Sequence, residues 1–258
     1  MRGAMRWLRG TATRFTRSAL HHGFRRRPAP LPLINVLQRL SAGDKGLTCR
    51  RVRTAQESLP EPFASLLGDT LLGGFTLDPD SILFLLGRIQ VQRPRVVLEL
   101  GGGASTPCIA YTLTMMGEGG QLVSVDHDRD FLEQTRSLVD RLEVNDHVHL
   151  VHAPLQPAAL NGRQVLSYDA VEVSSSLSRL SPPSFVFVDG PGQRIPGGRF
   201  ATLPLLADCL EAEASWYLDD ALRRVGLEVA NAWRRHPRIV VRGVHCIGNG
   251  ILAGHVRR

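Results

Sequence analysis

Arg95-Val96-Val97-Leu98-Glu99-Leu100-Gly101-Gly102-Gly103-Ala104-Ser105-Thr106-Pro107 is the stretch on which the reading of the fold turns. Its first half is short, rich in β-branched and aliphatic residues, and closed by three glycines, as a buried parallel strand should be. Thr106 is placed to cap the helix that follows, with Pro107 suited to its first position and Ile109 to Met116 continuing it up to Gly117. The stretch thus predicts a strand, a glycine turn and a helix N-terminus in succession.

The same alternation extends in both directions. Upstream, Ile82, Leu83, Leu85, Leu86 and Ile89 give one apolar face to a helix that starts near Asp80 and ends before Pro94. Downstream, strands are expected at Gln121 to Asp126, His147 to Val151, Phe185 to Asp189 and Ser215 to Asp219. Helices are expected at Asp130 to Leu142, Leu203 to Glu213 and Ala221 to Arg235, the last with Leu222, Val225, Val229 and Trp233 on one face. The polar stretch leading to Pro183 gives no element. Arg238 to Cys246 and Ile251 to Val256 flank Asn249-Gly250, a hairpin signal. The fold class is therefore α/β: a doubly wound, mostly parallel sheet with helices on both faces, ending in an antiparallel hairpin.

Charge is distributed unevenly over the 258 residues. The chain carries +7, but residues 1–56 hold thirteen Lys and Arg against the single acid Asp44, so the remainder is acidic by five charges. A nucleic acid lying across that acidic body would lose the counterion-release term that dominates such binding, which makes it an unlikely partner. Residues 1–27 contain eight arginines and no acid, with Met1, Met5, Leu8, Ala12, Phe15 and Ala19 at helical spacing. A basic amphipathic helix there suits an anionic membrane surface, an organelle-targeting role or a partner protein, and equally a tail lying on its own domain. The prolines that follow read as a linker. The division expected is residues 1–32 as helix and linker, 33–78 as a helical or irregular extension with short helices placed as a lid, and 79–258 as the main domain. Cys49, Cys108, Cys209 and Cys246 show no paired spacing, which excludes a zinc motif and fits a reducing, cytoplasmic compartment. No apolar run approaches the roughly 20 residues of a membrane span.

In an open sheet of this kind ligands bind beyond the carboxyl ends of the strands. Glu99, Asp126, Asp189 and Asp219 are all expected along that rim. Here the sequence resembles class I S-adenosylmethionine-dependent methyltransferases over roughly residues 80–256. The likeness is carried by Glu99 to Thr106, by Val125-Asp126, by Val188-Asp189-Gly190-Pro191-Gly192 and by Leu218-Asp219-Asp220-Ala221. It implies a Rossmann-like methyltransferase fold and an S-adenosylmethionine site of Glu99, Gly101, Gly102, Gly103, Ser105, Asp126 and His127. Gly101 and Gly103 would admit the cofactor's methionine portion, Glu99 would lie near its ammonium, and Asp126 would accept from the ribose hydroxyls.

Asp189 with Asp219 and Asp220 resembles the strand-end acids that hold a divalent ion, Mg²⁺ for example, in catechol-type O-methyltransferases. Two departures stand out: Asp220 replaces an Asn, and Gly192 stands where those enzymes carry a lysine base. Asp220 is equally placed to cap the next helix, and Asp189 to act as general base without a metal. Arg194 and Arg199 flank a glycine-containing loop and either meet an acidic substrate group or are solvated. His127, His152 and His245 are read as packing or surface residues before catalysts. The expected activity is O-methylation of a small-molecule or glycan-like hydroxyl. The alternatives are a non-catalytic methyltransferase-like scaffold and, disfavoured by Thr106 at the third glycine position and by Glu99, a nicotinamide-dinucleotide oxidoreductase. Oligomeric state is not legible.

Overall fold

Side-chain caps fix where the regular elements start. Asp78 accepts from the Asp80 amide at the head of one helix, whose first residue is Pro79 and whose end is set by Arg93 in a left-handed conformation before Pro94. Asp128 and Asp169 cap two more by accepting from amides two and three residues on.

The computed structural model describes residues 27–40, 59–67, 77–192, 195 and 197–258. The chain runs α1 (Leu31–Leu40), α2 (Phe63–Leu67), α3 (Pro79–Gln92), β1 (Val96–Leu100), α4 (Ser105–Met116), β2 (Gln121–Asp126), α5 (Arg129–Arg141) and β3 (Val148–His152). It continues β4 (Leu155–Leu160), β5 (Arg163–Tyr168), α6 (Ala170–Leu177), β6 (Phe185–Val188), α7 (Thr202–Leu206), β7 (Ser215–Leu218), α8 (Arg224–Trp233), β8 (Ile239–His245) and β9 (Ile251–Val256).

Seven strands form one sheet in the order β3-β2-β1-β6-β7-β9-β8. The β3, β2, β1, β6 and β7 pairings are all parallel, and β9 runs antiparallel between β7 and β8. The antiparallel strand expected at the end is present, inserted one place in from the edge. Strand order reverses between β1 and β6, so the turns leaving those two strands flank the topological switch point.

Both faces are covered, which is why β1 is buried from end to end. Val97, Leu122, Phe185, Phe187 and Tyr217 pack under α2, α3 and α4. Leu98, Leu100, Val123, Val186, Trp216 and Leu218 pack under α1, α6, α7 and α8.

Several expectations need correction. Residues 155–168, read as featureless, form the hairpin β4-β5, a separate two-stranded sheet closed by Asn161 and Gly162 at φ 53° and 77°. That is the two-residue turn the Asn-Gly dipeptide favours. At Asn249-Gly250 the same dipeptide makes a longer connection instead, because its two carbonyls accept from the Leu222 and Ala221 amides. Helix α8 begins only at Arg224, Leu222 precedes it and Val225 is 37% exposed, so Gly226, Leu227, Val229, Ala230 and Trp233 form its buried face. The helix expected over 203–213 stops at Leu206 and gives way to a single 3₁₀ turn.

The expected linker is docked, not free. Ala29 pairs with Val244 beside β8, and Leu31 and Ile34 are buried in the core. Likewise α2 buries Phe63, Leu66 and Leu67 among the core residues, so the described helices of the extension are core elements and not a lid. The basic helix expected over residues 1–27 lies outside the described residues apart from Arg27. No helix among them is long and apolar enough to cross a membrane.

Candidate active site

Register brings the two halves of the predicted cofactor site side by side. Leu100 pairs with Val125, and the Gly101 amide donates to the Val125 carbonyl at 2.8 Å, so the glycine turn lies next to Asp126. Across the switch point the amides of Asp189 and Gly190 both donate to the Leu100 carbonyl, at 2.8 and 2.7 Å. A Cβ on Gly101, at φ 98°, would overlap the Gly190 backbone. Glycine is thus required at 101 by the approach of two turns, whatever else the turn admits.

Glu99 sits one residue inside β1 and is fully buried, away from the rim where it was expected. It accepts from Ser105 Oγ (2.6 Å), Thr106 Oγ1 (2.6 Å) and Ser124 Oγ (2.7 Å). Burial pushes its carboxyl up to about 7 against the pull of those three hydroxyls. One buried carboxylate therefore ties β1, β2 and the first turn of α4 together. It also consumes the Ser105 and Thr106 hydroxyls: α4 has no side-chain cap, Thr106 is its second residue and Pro107 its third.

Asp126, nearly buried, accepts from the Asp128 amide at 2.9 Å and lies 3.0 Å from His127 Nδ1. Burial raises its pKa, opposed by the Asp128 hydrogen bond and the His127 ring. The His127 ring also lies 6.1 Å from the Tyr168 ring, centroid to centroid.

Tyr168 was not foreseen. It ends β5, is 3% exposed, and its hydroxyl has no hydrogen-bond partner among the described residues. A Cβ on Gly190 would overlap that hydroxyl oxygen, which places it over the switch point. Burial first, then the charges of Asp126, Asp189 and Glu99, push the phenol well above its ordinary range. The available signal was the Asn161-Gly162 hairpin that delivers it.

The three remaining acids converge: carboxylate oxygens of Asp189, Asp219 and Asp220 lie within 4.8 Å of one another. Asp220 does not cap α8, whose N-cap position is Arg223. It holds a left-handed φ of 60°, which Asp tolerates better than most residues, and Arg223 Nε lies 2.9 Å from its Oδ1. Arg199, read as loop-borne, is buried among the acids. Its Nη2 donates to both Asp189 Oδ1 (2.7 Å) and the Asp189 carbonyl, its Nη1 to the Asp219 carbonyl (3.1 Å) with Asp220 Oδ2 at 3.5 Å, and its Nε to the Pro191 carbonyl (3.3 Å). Burial pushes Asp189 up to about 6 despite Arg199, and holds Asp219 well above the usual carboxylate range. Arg194 lies outside the described residues. His152 Nε2 bonds the His127 carbonyl at 3.1 Å, and His245 packs on Phe84, so both serve packing. A groove lined by Arg129, Leu150, His152, Pro154 and Glu172 follows the free edge of β3 and includes neither the glycine turn nor Asp126.

No protein-family model and no curated protein matches the chain by sequence. Solved structures do match in three dimensions. An O-methyltransferase from Bacillus cereus in complex with SAH superimposes with a TM-score of 0.57 at 18% identity, covering 80% of this chain and 94% of that one. The O-methyltransferase TomG from Streptomyces achromogenes in complex with SAM gives 0.55 at 18% identity, with 78% and 90% covered. The SAH-bound Podospora anserina methyltransferase PaMTH1 gives 0.58 at 13% identity, with 79% and 91% covered. The glycine turn beside Asp126, set in a sheet that reverses at β1 and admits one antiparallel strand, thus belongs to a chain with the Rossmann-like fold of these methyltransferases.

Proposed function

We propose that the chain is an S-adenosylmethionine-dependent methyltransferase that methylates a hydroxyl oxygen of a small-molecule or glycan-like acceptor. The observation that carries the reading is the adjacency, at the switch point, of the Gly101–Gly103 turn, the carboxylate of Asp126 and the half-exposed Asp189. Ligands of doubly wound sheets bind at that place. The Tyr168 hydroxyl strengthens the fit, because a buried phenol without a partner costs about 1–3 kcal/mol that a ligand oxygen would offset.

In this reading Gly101, Gly102 and Gly103 give the backbone close approach, Asp126 receives ribose hydroxyls and His127 holds Asp126 in place. Tyr168 donates to an oxygen of the cofactor's amino-acid portion. Glu99 and Ser105 act at one remove, by shaping the glycine turn through their mutual hydrogen bond. When bound, S-adenosylmethionine supplies a methyl group on a positively charged sulfur and needs no further activation. What the protein adds is alignment, which supplies about 7–11 kcal/mol in well-oriented reactions. Asp189 is the group placed to take the proton of the acceptor hydroxyl, and the cofactor, when bound, would supply the methyl group and leave as a neutral thioether. Its raised pKa, about 6, sets a base near neutrality.

The basic residues 1–27 are assigned to an anionic membrane surface or a partner protein. The non-catalytic scaffold predicts cofactor binding or none, with no methylated product. Incubation with methyl-deuterated S-adenosylmethionine and a panel of hydroxyl acceptors, read by mass spectrometry, separates the two. A labelled oxygen, with turnover that rises through about pH 6 and loses that rise in Asp189→Asn, supports the proposal. Label on nitrogen or carbon, or none with any acceptor, rejects it.

A further inference from the structure

We propose that the Arg199 guanidinium permanently fills the place of a divalent ion at the carboxyl ends of β6 and β7, so that this site takes no metal. The inference rests on the methyltransferase reading only for its consequence; the occupancy itself is a matter of geometry. A guanidinium offers five N–H groups. In this site Arg199 donates four hydrogen bonds to oxygens of the two turns, Nε to the Pro191 carbonyl, Nη1 to the Asp219 carbonyl and Nη2 to the carbonyl and carboxylate of Asp189, and Nη1 also lies 3.5 Å from Asp220 Oδ2. A hard cation would draw on the carboxylates of Asp189, Asp219 and Asp220, and Arg199 already engages two of them, Asp189 Oδ1 at 2.7 Å and Asp220 Oδ2 at 3.5 Å, and holds Asp219 by its carbonyl.

Charge points the same way. Three carboxylates face Arg199 and Arg223, the latter 2.9 Å from Asp220 Oδ1. A divalent ion would enter beside two positive charges, one of them 2.7 Å from Asp189 Oδ1 and 3.5 Å from Asp220 Oδ2. One departure from the catechol-type pattern then acquires a cause. Asp220 in place of an Asn adds the negative charge that a second arginine balances. With its N–H groups taken up by these two turns Arg199 binds no substrate; it is a positioning residue that locks the two acceptor-side turns together.

Metal uptake and methyl transfer are measured separately, so failure of one is distinct from failure of the other. Electron paramagnetic resonance titration of the full chain with Mn²⁺ should show no loss of free-ion signal at millimolar ion. Stoichiometric uptake that disappears in Asp189→Asn would overturn the proposal. Arg199→Gln should create the missing site: it is expected to melt lower than the parent, to take up Mn²⁺, and to regain thermal stability with Mg²⁺. Arg199→Lys, which keeps the charge, should still exclude Mn²⁺, and uptake by that variant equal to that of Arg199→Gln would contradict the role given to the charge. Where an acceptor is found, turnover should be unchanged by a chelator; a loss restored by Mg²⁺ would also overturn the proposal.

Discussion

At the scale of single residues, Glu99 shows how a polar group becomes structural. A carboxylate inside a fully buried strand would be prohibitive alone, and three hydroxyls on two other elements make it tolerable. Its pKa, about 7, stands above the value of an unfolded chain, near 4.3. The folded state therefore holds a proton the unfolded state has lost between those values, and stability drains away as pH rises through that window. Glu99→Gln removes this dependence: in urea denaturation the variant should gain on the parent between about pH 5 and about pH 8, and a constant difference would contradict the assignment. The sequence announced an acid before the glycines and said nothing of the hydroxyls, since Ser124 lies on another strand. Asp126 was legible because it ends β2 in a simple strand pattern. Arg199 was not, because its five contacts come from turns whose geometry no local pattern encodes.

At the scale of elements, regular alternation made β1, β2, β6 and β7 readable almost to the residue, as their burial on both faces gives short, largely apolar runs. The hairpin β4-β5 escaped because most of its residues are exposed or half-buried, so no hydrophobic period marks it. Only its turn dipeptide was a signal. That hairpin matters because Tyr168 closes it over the switch point. Tyr168→Phe should raise the melting temperature of the free protein slightly, by removing an unpartnered buried hydroxyl worth about 1 kcal/mol, and weaken S-adenosylmethionine binding about tenfold. Calorimetry and thermal melts together check this; unchanged affinity would remove Tyr168 from the cofactor site.

At the scale of the whole molecule, the basic N-terminal segment and the acidic body are separable in charge but joined in the fold at Ala29. Removing residues 1–26 should leave melting temperature and cofactor affinity unchanged while abolishing sedimentation with anionic vesicles. Removing residues 1–40 also strips the Ala29–Val244 pairing and the buried Leu31 and Ile34, at a cost of about 3–5 kcal/mol, visible as a lower urea midpoint. Equal stability of the two truncations would mean that α1 adds nothing to the core. In the proposed reading the sheet order, the switch point and the placement of Gly101 next to Asp126 frame one cofactor site. Isothermal calorimetry with S-adenosylmethionine on the full chain and on Asp126→Ala measures it most directly. Saturable binding by the parent, weakened by at least an order of magnitude in the variant, is the predicted result; no heat from the parent, or equal affinity in both, would contradict it.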